Sequence, residues 1–408
     1  MAVTGPSLDE SLIARRRALL AALGDPHLRF PIVHVGGTNG KGSTVALIAA
    51  VLQAGGYRVG RYTSPDLHGP HERIALDGRP IDRDRFAQSA AEVGAVAERV
   101  AEDFPALPPW RPFDLLCAQA WRYYADTAEI VVVEVGLGGR RDATNVFARP
   151  EMTAITAIDR DHTLCLGHDL AAIALEKAGI FRPGVPAATT AQGEALAVLR
   201  DEARRLGTPL RAVEPLDGVS TAGGWRVSTA FGIVDLPLAG RFQLENAGLA
   251  IAALETLRAA GWRITESTVR EGFASVQWPA RMERLPDATG GAWLLDGAHN
   301  PAAIEALTSA WGAPDVVVAG IQATKDGAAM IRALTAPQRP VILTEVPDAA
   351  SWTPEMLALN AIGTLEFIPA VRQALDRARA IAPNGTRCVT GSLHLVAAAR
   401  ALILQGAI

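Results

Sequence analysis

Short apolar runs alternate with longer helical stretches along the first half of the chain. The runs with the length and β-branched content of buried strands are FPIVHV (30–35), YRVGRYTS (57–64), EIVVVEVG (129–136) and MTAITAID (152–159). The stretches with helical spacing are STVALIAAVLQAGGY (43–57), FDLLCAQAWRYYAD (113–126) and LAAIALEKAGIF (170–181). This alternation predicts an α/β fold, in which helices cover both faces of a parallel sheet.

The pattern changes twice further along the chain. Residues 209–240 include GWRVSTAFGIVDLPL, which alternates polar and apolar positions around turn residues, so we expect a hairpin excursion there. Prolines and glycines then gather in QWPARMERLPDATGG (277–291), as they do at domain boundaries. The strand candidates after it are AWLLD, DVVVAGI, RPVILTEV, TLEFIP and TRCVTG. We therefore predict a first domain at 1–282 and a smaller, Rossmann-like doubly wound domain at 283–408.

Composition narrows the class of protein. The 408 residues are 49% hydrophobic, which is enough for full cores, and the net charge of -4 argues against a general nucleic-acid binder. Cys117, Cys165 and Cys388 are too widely separated to suggest a disulfide or metal motif, as expected in a reducing cytosol. The start of the chain has no signal-type apolar core, and no uncharged run is long enough to span a bilayer. We expect a cytoplasmic protein with no nucleic-acid or membrane partner.

The motif GTNGKGS (37–43) lies between the first predicted strand and the first predicted helix. Its spelling differs from the common phosphate loop, because Gly42 separates Lys41 from the hydroxyl of Ser43. In this context glycines let backbone N–H groups approach phosphate oxygens, and a helix N-terminus attracts them. The motif predicts a P-loop-type ATPase domain in which Lys41 reaches the outer phosphates and Ser43 or Thr44 lies near Mg²⁺.

Polar side chains follow three other predicted strands. Ser64 follows YRVGRYT, Glu134 ends the apolar run VVVE, and His162 follows MTAITAID. Each alone is more often a salt bridge or a hydrogen-bonded bystander, but the carboxyl ends of parallel strands meet where ligands bind. Mg²⁺ prefers a few protein groups together with waters and phosphates. The three residues together are candidate ligands for a nucleotide-bound metal.

Motifs across nearly the whole chain resemble those of one family. They are HVGGTNGKGS, GYRVGRYTSPDL, HERIALDG, EVGLGGRRDATN, DHTLCLG, EKAGIFRPG, LENAGLA, WPARME, LLDGAHNP and VTGSLHLV. In this order they resemble the folylpolyglutamate synthase/dihydrofolate synthase family, a branch of the Mur ligase superfamily, which shares the shifted phosphate loop. The resemblance implies an ATP-dependent ligase of folate biosynthesis that joins L-glutamate to dihydropteroate and extends folates with γ-linked glutamate. The acid would become an acyl phosphate, which the amino group of glutamate then attacks.

The resemblance also implies roles for individual residues. The implied ATP-binding residues are Asn39, Gly40, Lys41, Gly42, Ser43, Asn246, Arg281 and Asp296. The implied ligands of one or two Mg²⁺ ions are Ser64, Glu134 and His162. The implied catalytic residues are Lys41, Glu134, His162, Lys177 and His299. Lys177 matches a lysine that the family carries as a carbamate, an anion able to support a second metal. The implied acid-substrate residues are Phe113, Asp114, Arg141, Asp142 and Ala143.

The acid-substrate positions depart from the family pattern. Asp66 stands in SPDL where many members have histidine, and Arg141 stands in GGRRDATN where many have an apolar or aromatic residue. A guanidinium fork suits a carboxylate or phosphate better than a flat pterin. Two ligase hypotheses therefore remain, one with dihydropteroate and folates and one with a different, non-pterin acid.

A function without catalysis is the alternative from another class. A nucleotide-binding regulatory or scaffold protein could share this fold without catalysis. Lys41, Glu134, His162 and Lys177 are all present, which argues against that alternative. Members of the family are often monomeric, so we expect a monomer whose partners are small molecules.

Overall fold

The computed structural model describes residues 8–288, 290–335, 339–359 and 365–408, and their strands form three sheets. An eight-stranded sheet and a six-stranded sheet form the centres of two α/β units that follow one another along the chain. A three-stranded sheet lies between them in sequence. The predicted α/β architecture, with a smaller second sheet domain, is confirmed.

The first sheet holds the phosphate-loop motif at its centre. Its strands are β1 (Ile32–Gly36), β2 (Val59–Tyr62), β3 (Ile74–Leu76), β4 (Arg79–Pro80), β5 (Ile130–Glu134), β6 (Met152–Ile155), β7 (Ala187–Thr189) and β8 (Leu210–Ala212). The order is β4-β3-β2-β5-β1-β6-β7-β8, and neighbours are parallel except for β2–β3 and β3–β4. Val35 pairs with Glu134, and Gly36 pairs with Ile155, so the three central strands end at one edge.

Helices cover both faces of this sheet. They are α1 (Leu8–Ala22), α2 (Lys41–Ala54), α3 (Arg83–Glu102), α4 (Pro112–Thr127), α5 (Thr163–Leu166), α6 (Leu170–Ala178), α7 (Gly193–Leu206), α8 (Phe242–Ala259) and α9 (Glu266–Ser275). In β5, Ile130 and Val132 pack with α2, α8 and α9, whereas Val131 and Val133 pack with α1, α3 and α4. Burial on both faces explains why the central strands are continuous apolar runs.

The stretch 209–240 behaves differently at its two ends. β9 (Gly218–Thr221), β10 (Gly224–Thr229) and β11 (Gly232–Leu236) form an antiparallel sheet, and β10–β11 is the predicted hairpin. The expectation was wrong at the start of the stretch, because β8 joins the edge of the large sheet in parallel with β7. That edge gives the backbone of β8 hydrogen-bond partners that its short side-chain pattern does not reveal.

The second sheet begins directly after the predicted boundary. Its strands are β12 (Glu283–Pro286), β13 (Ala292–Leu295), β14 (Val316–Ala319), β15 (Val341–Leu343), β16 (Glu366–Phe367) and β17 (Thr386–Thr390). The order is β12-β13-β17-β14-β15-β16, and only β12 is antiparallel to its neighbour. The predicted strand TLEFIP starts at residue 364, which lies outside the described residues.

The helices of the second unit are α10 (Pro301–Ala310), α11 (Gly327–Thr335), α12 (Pro354–Leu359), α13 (Val371–Ile381) and α14 (Leu393–Leu404). In β14, Val317 faces α10 and α11, and Val318 faces α13 and α14. Both faces are therefore covered, as the doubly wound prediction requires. Within the described ranges, no helix has the length and apolarity needed to cross a bilayer.

Candidate active site

A cleft of about 850 Å³ lies between the two α/β units. One wall is formed by loops at the carboxyl ends of β1, β2, β5 and β6, which is the edge where parallel sheets bind ligands. Every predicted site residue except Lys177 and the alternative hydroxyl Thr44, which is fully buried in α2, contributes to its lining. These residues are Asn39, Gly40, Lys41, Gly42, Ser43, Ser64, Phe113, Asp114, Glu134, Arg141, Asp142, Ala143, His162, Asn246, Arg281, Asp296 and His299.

The glycine loop after β1 has the shape that its sequence suggests. Gly40 has a φ of 93°, and a Cβ there would lie 2.0 Å from Oδ1 of Asn246 on α8, so only glycine fits. Lys41 is the first residue of α2, two residues earlier than the predicted start of that helix. Ser43 lies in the first turn of α2 and is buried. Backbone N–H groups of this turn therefore face the cleft, as an anion site requires.

Lys41 and Glu134 lie together on the floor of the cleft. The Lys41 ammonium is 4.0 Å from Oε1 of Glu134 and donates a hydrogen bond to the Thr38 carbonyl at 2.9 Å. Burial lowers the pKa of Lys41, although the nearby Glu134 carboxylate raises it. Burial also raises the pKa of Glu134, although the Lys41 ammonium lowers it. Both shifts favour neutral side chains, so bound phosphate or metal charge would stabilise the ionised forms.

Two of the three candidate metal ligands, Ser64 and Glu134, carry the oxygen donors that Mg²⁺ prefers, and His162 adds an imidazole nitrogen. The backbone N–H of Ser64 donates to Oε2 of Glu134 at 3.2 Å, which brings a hydroxyl-bearing residue beside the carboxylate. His162 has a φ of 51°, and burial lowers the pKa of its imidazole to about 4, so the neutral ligand form dominates at neutral pH. Among the described residues, no three His, Cys, Asp or Glu side chains form a metal cluster. A cation here would therefore draw on a hydroxyl, waters and nucleotide phosphates, as Mg²⁺ does.

Lys177 lies behind the phosphate loop rather than in the cleft lining. Its buried ammonium donates a hydrogen bond to the Gly37 carbonyl at 2.7 Å. Burial lowers the pKa of Lys177 to about 7, against an ordinary value of 10.5. A large share of the amine is then neutral at pH 7, which is the form that can add CO₂. Its carbamylation stays a prediction.

The second unit contributes the opposite wall. Asp296 follows β13 and is buried, and its oxygens accept the N–H groups of Met282 and Ala298 at 2.9 Å each. Burial raises the pKa of Asp296 although Arg281 lowers it. Asp296 thus secures the segment that joins the two units. His299 is fixed through Nδ1 to the Gly297 carbonyl at 2.9 Å.

Asp114, at the predicted acid end of the cleft, has one buried carboxylate oxygen without a hydrogen-bond donor among the described residues. Its buried carboxylate accepts a hydrogen bond through Oδ1 from Nε of Arg16 at 2.8 Å. Its other oxygen, Oδ2, is buried and accepts no hydrogen bond from any residue that the structure describes. Nearby, the Phe113 ring lies against Gly136, where a Cβ would approach it to 2.4 Å. A flat ligand with an N–H edge could satisfy the free oxygen.

Asp142 and Ala143 form part of the same loop. Asp142 is buried, and its oxygens accept the N–H groups of Leu137 and Thr144 at 2.8 and 2.9 Å. Its carboxylate therefore shapes the loop, and Ala143 beside it is buried.

The two unusual residues of the acid end are both engaged in ion pairs. Arg141 lies 3.3 Å from Glu176 and 3.3 Å from Asp9, with its side chain half exposed. Asp66 forms an ion pair with Arg73 at 2.5 Å. Two carboxylates therefore already contact the Arg141 guanidinium, and its role toward an acid substrate stays a prediction. Neither residue gives a specific reason to expect a non-pterin acid.

Sequence reasoning missed a polar cluster that joins the two walls. Asp161 of the first unit accepts hydrogen bonds from Lys325 at 2.5 Å and Asn300 at 3.1 Å, both from the second unit. Asn300 also exchanges amide hydrogen bonds with Asn39 of the phosphate loop at 2.9 and 3.2 Å. One signal was available, because the chain has only three lysines, and Lys325 is one of them.

The fold and site together define an ATP-dependent ligase. Residues 280–393 match the sequence family described as Mur ligase, glutamate ligase domain. Folylpolyglutamate synthase of Lacticaseibacillus casei is 34% identical over 411 residues, which cover 95% of this chain and 93% of that protein. Dihydrofolate synthase/folylpolyglutamate synthase of Bacillus subtilis is 35% identical over 308 residues, covering 72% and 70%.

Solved structures agree with these relatives. An FPGS–AMPPCP–folate complex, in which FPGS stands for folylpolyglutamate synthase, has a TM-score of 0.84 at 32% identity and covers 99% of this chain and 97% of its own. The chain belongs to the folylpolyglutamate synthase/dihydrofolate synthase family.

Proposed function

We propose that this enzyme joins L-glutamate to dihydropteroate and extends folates with γ-linked glutamate, using ATP and Mg²⁺. The observation that carries the proposal is the approach of Lys41 to Glu134 in a cleft that also contains Asp114 and His299. A phosphate site, a candidate metal site and an acid site thus share one enclosure, which phosphoryl transfer to a carboxylate requires.

The reaction needs ATP because water favours the free acid and amine over the amide. A carboxylate oxygen of the acid attacks the γ-phosphorus, the bond to ADP breaks, and an acyl phosphate forms. The amino nitrogen of glutamate then attacks the acyl carbon, phosphate leaves, and the nitrogen loses a proton. This chemistry relies on positioning and charge stabilisation more than on a protein nucleophile. The cleft accordingly presents Lys41 and backbone N–H groups.

We assign the nucleotide end as follows. Asn39 to Ser43 bind the phosphates, and Asn246, Arg281 and Asp296 contact the rest of ATP. Ser64, Glu134 and His162 would hold Mg²⁺, which supplies neutralising charge between the phosphates when bound. Lys177 would become an anion as its carbamate, directly behind Gly37.

We assign the acid end from its unsatisfied acceptor. The free oxygen of Asp114 suits an N–H donor, and a pterin carries such donors on its amide edge. The Phe113 ring gives that heterocycle an aromatic contact. Asp142 and Ala143 shape the loop beside it. His299 lies on the opposite wall, where glutamate must approach the acyl carbon.

The wider setting follows from the same proposal. We propose a cytoplasmic monomer whose first domain ends at residue 282, since β12 starts the second sheet at Glu283. Light scattering on the purified chain would report its mass in solution, and a stable dimer at assay concentration would contradict this part alone.

The activity can be tested with purified protein, ATP, Mg²⁺, L-glutamate and either dihydropteroate or tetrahydrofolate. We expect ADP release that depends on both acid and glutamate, and a product heavier by one glutamyl residue in mass spectrometry. ADP release with another carboxylic acid, but with neither pterin, would favour the non-pterin ligase. Folded protein that binds ATP and turns over no acid would point to a regulatory or scaffold role.

A further inference from the structure

The use of basic residues in this chain is strongly biased. Lysine and arginine together number 39, yet only Lys41, Lys177 and Lys325 are lysines. Arginine therefore supplies almost every positive charge, including those on the surface. Two of the three lysines have proposed roles at the phosphate loop and behind it, Lys41 as a compact charge for phosphate and Lys177 as an amine that can form a carbamate. The third lysine, Lys325, has no role in the site as described so far.

Lys325 extends from the second unit into the cleft. It follows β14 in a turn, and its carbonyl accepts the indole N–H of Trp352 at 3.3 Å and the N–H of Gly327 at 2.8 Å. Its ammonium forms an ion pair with Asp161 at 2.5 Å, and the two side chains are only 9% and 6% exposed. The hydrogen-bonded turn thus places the Lys325 ammonium against the Asp161 carboxylate of the first unit.

Asp161 gathers further donors from the second unit. Asn300 donates to its Oδ2 at 3.1 Å, and Nε2 of His299 lies 3.4 Å from the same oxygen. Asp161 directly precedes the candidate metal ligand His162. Asn300 continues the connection to Asn39 in the phosphate loop through two amide hydrogen bonds. The contact between the two units therefore reaches the phosphate loop at Asn39 and the neighbour of the candidate metal ligand His162.

We propose that Lys325 is a positioning residue, whose ion pair with Asp161 holds the two domains closed over the nucleotide and so completes the phosphoryl-transfer site. The proposal rests on the proposed function, since it explains how the site is assembled. Closure brings His299 of the second domain beside His162 of the first and excludes water from the acyl phosphate.

The side chain at this position has to be lysine for a physical reason. Asn300 and His299 already contact Oδ2 of Asp161, so the two-pronged fork of a guanidinium would compete with them, whereas one ammonium needs only Oδ1. A compact ammonium reaches the carboxylate at the end of a flexible stem. This geometry gives a physical reason for a lysine at this position in a chain whose basic residues are nearly all arginine.

The test uses the full-length enzyme with the variants Lys325→Met, Lys325→Arg, Asp161→Asn and the double variant Lys325→Met/Asp161→Asn. We expect Lys325→Met and Asp161→Asn each to lower kcat by about tenfold or more, because removing one partner of a buried ion pair leaves the other buried without its partner. Lys325→Arg should also lose activity, because its fork competes with the other donors on Asp161. The double variant should be no slower than the worse single variant, since both remove one interaction. The affinity for MgATP in calorimetry should fall by less than kcat does, because the phosphate loop is intact and only the contacts from the second domain are weakened.

The matched control is Arg377→Met, which breaks an exposed ion pair with Glu366 in the same domain and should leave kcat unchanged. Full activity of Lys325→Arg, or additive losses in the double variant, would overturn the proposal.

A second readout does not depend on the acid substrate. With MgATP, small-angle X-ray scattering should give a larger radius of gyration for Lys325→Met than for the unmodified enzyme.

Equal radii for these two proteins would also overturn the proposal. If the unmodified enzyme shows no turnover with any acid, the proposed function fails, and the scattering comparison alone decides whether Lys325 holds the domains closed.

Discussion

The nucleotide end and the acid end of the cleft are built in different ways. At the nucleotide end, Lys41 and Glu134 stand next to the ends of neighbouring strands of one parallel sheet. At the acid end, Asp114 is held by Arg16, 98 residues away in sequence, and Arg141 pairs with Asp9, 132 residues away. Backbone topology therefore sets the first site, and side chains from distant segments set the second.

This difference suggests that the nucleotide end controls the chemical step and the acid end controls which acid binds. The sheet edge gives phosphate and metal ligands positions that change little when surface residues change. The acid end depends on ion pairs between segments, in which a single substitution can free or occupy a charge. We expect substitutions at the nucleotide end to lower kcat, and substitutions at the acid end to raise the KM of the acid.

Glu134→Gln should give the largest effect. The amide keeps the shape of the side chain but removes the charge that lies near Lys41 and would face the proposed Mg²⁺, so kcat should fall by about two to three orders of magnitude. ADP release measures the loss, and circular dichroism checks the fold. The control is Glu129→Gln, beside the opposite end of the same strand, where the exposed carboxylate pairs with Arg58. A small change in kcat for Glu134→Gln would remove this residue from the mechanism.

Asp114→Asn should act on the acid rather than on the nucleotide. The substrate would lose a charged acceptor worth about 1.5–3 kcal/mol, so the KM of the acid should rise roughly tenfold to a hundredfold. Calorimetry should find the affinity for MgATP unchanged. Asp126→Asn on the same helix is the control, because Asp126 is exposed and pairs with Arg122. An effect on kcat alone would contradict the assignment of Asp114 to binding.

Lys177→Met should change how stability depends on pH. The unfolded chain keeps the lysine proton up to a pKa of 10.5, whereas the folded protein releases it above about 7. Unfolding above pH 7 then takes up a proton, so raising the pH favours the folded enzyme. From pH 6 to pH 9 the free energy of unfolding should rise by roughly 2.7 kcal/mol more in the unmodified enzyme than in the variant. Urea titrations in CO₂-free buffer measure this difference, and parallel curves would contradict it.

Arg141→Ala should have the smallest effect. Its guanidinium is half exposed in both of its ion pairs, with Glu176 and with Asp9, and ion pairs at exposed charges contribute about 0.2–1 kcal/mol. We expect kcat/KM for the acid to change by less than about fivefold. A hundredfold loss would mean that the guanidinium contacts the substrate after all, and it would revive the non-pterin alternative.

The sequence predicted the nucleotide end because its signals are local. A glycine loop after an apolar strand and Glu134 at the end of another identify their own positions, and parallel pairing brings them together. The four strands predicted for the first sheet lie at the right places, although β6 ends at Ile155, four residues before the predicted end, and β3, β4 and β7 were not predicted. Strand ends depend on pairing, which the apolar pattern does not contain.

The acid end and the domain contact could not be predicted in the same way. Nothing near Arg141 in sequence reveals that Asp9 would neutralise it, and nothing near Asp161 reveals Lys325, 164 residues away. Such pairs appear only when helices and domains are packed. The scarcity of lysine was the one sequence signal for Lys325, and it depends on composition rather than on any motif.

The central claim is that the acid is activated by taking the γ-phosphoryl group of ATP. The most direct measurement uses an acid substrate labelled with ¹⁸O in its carboxylate and follows the released phosphate by mass spectrometry. Attack by the carboxylate predicts phosphate that carries one labelled oxygen, released together with ADP. Unlabelled phosphate, or AMP as the nucleotide product, would contradict the acyl phosphate and the roles given to Lys41 and Glu134.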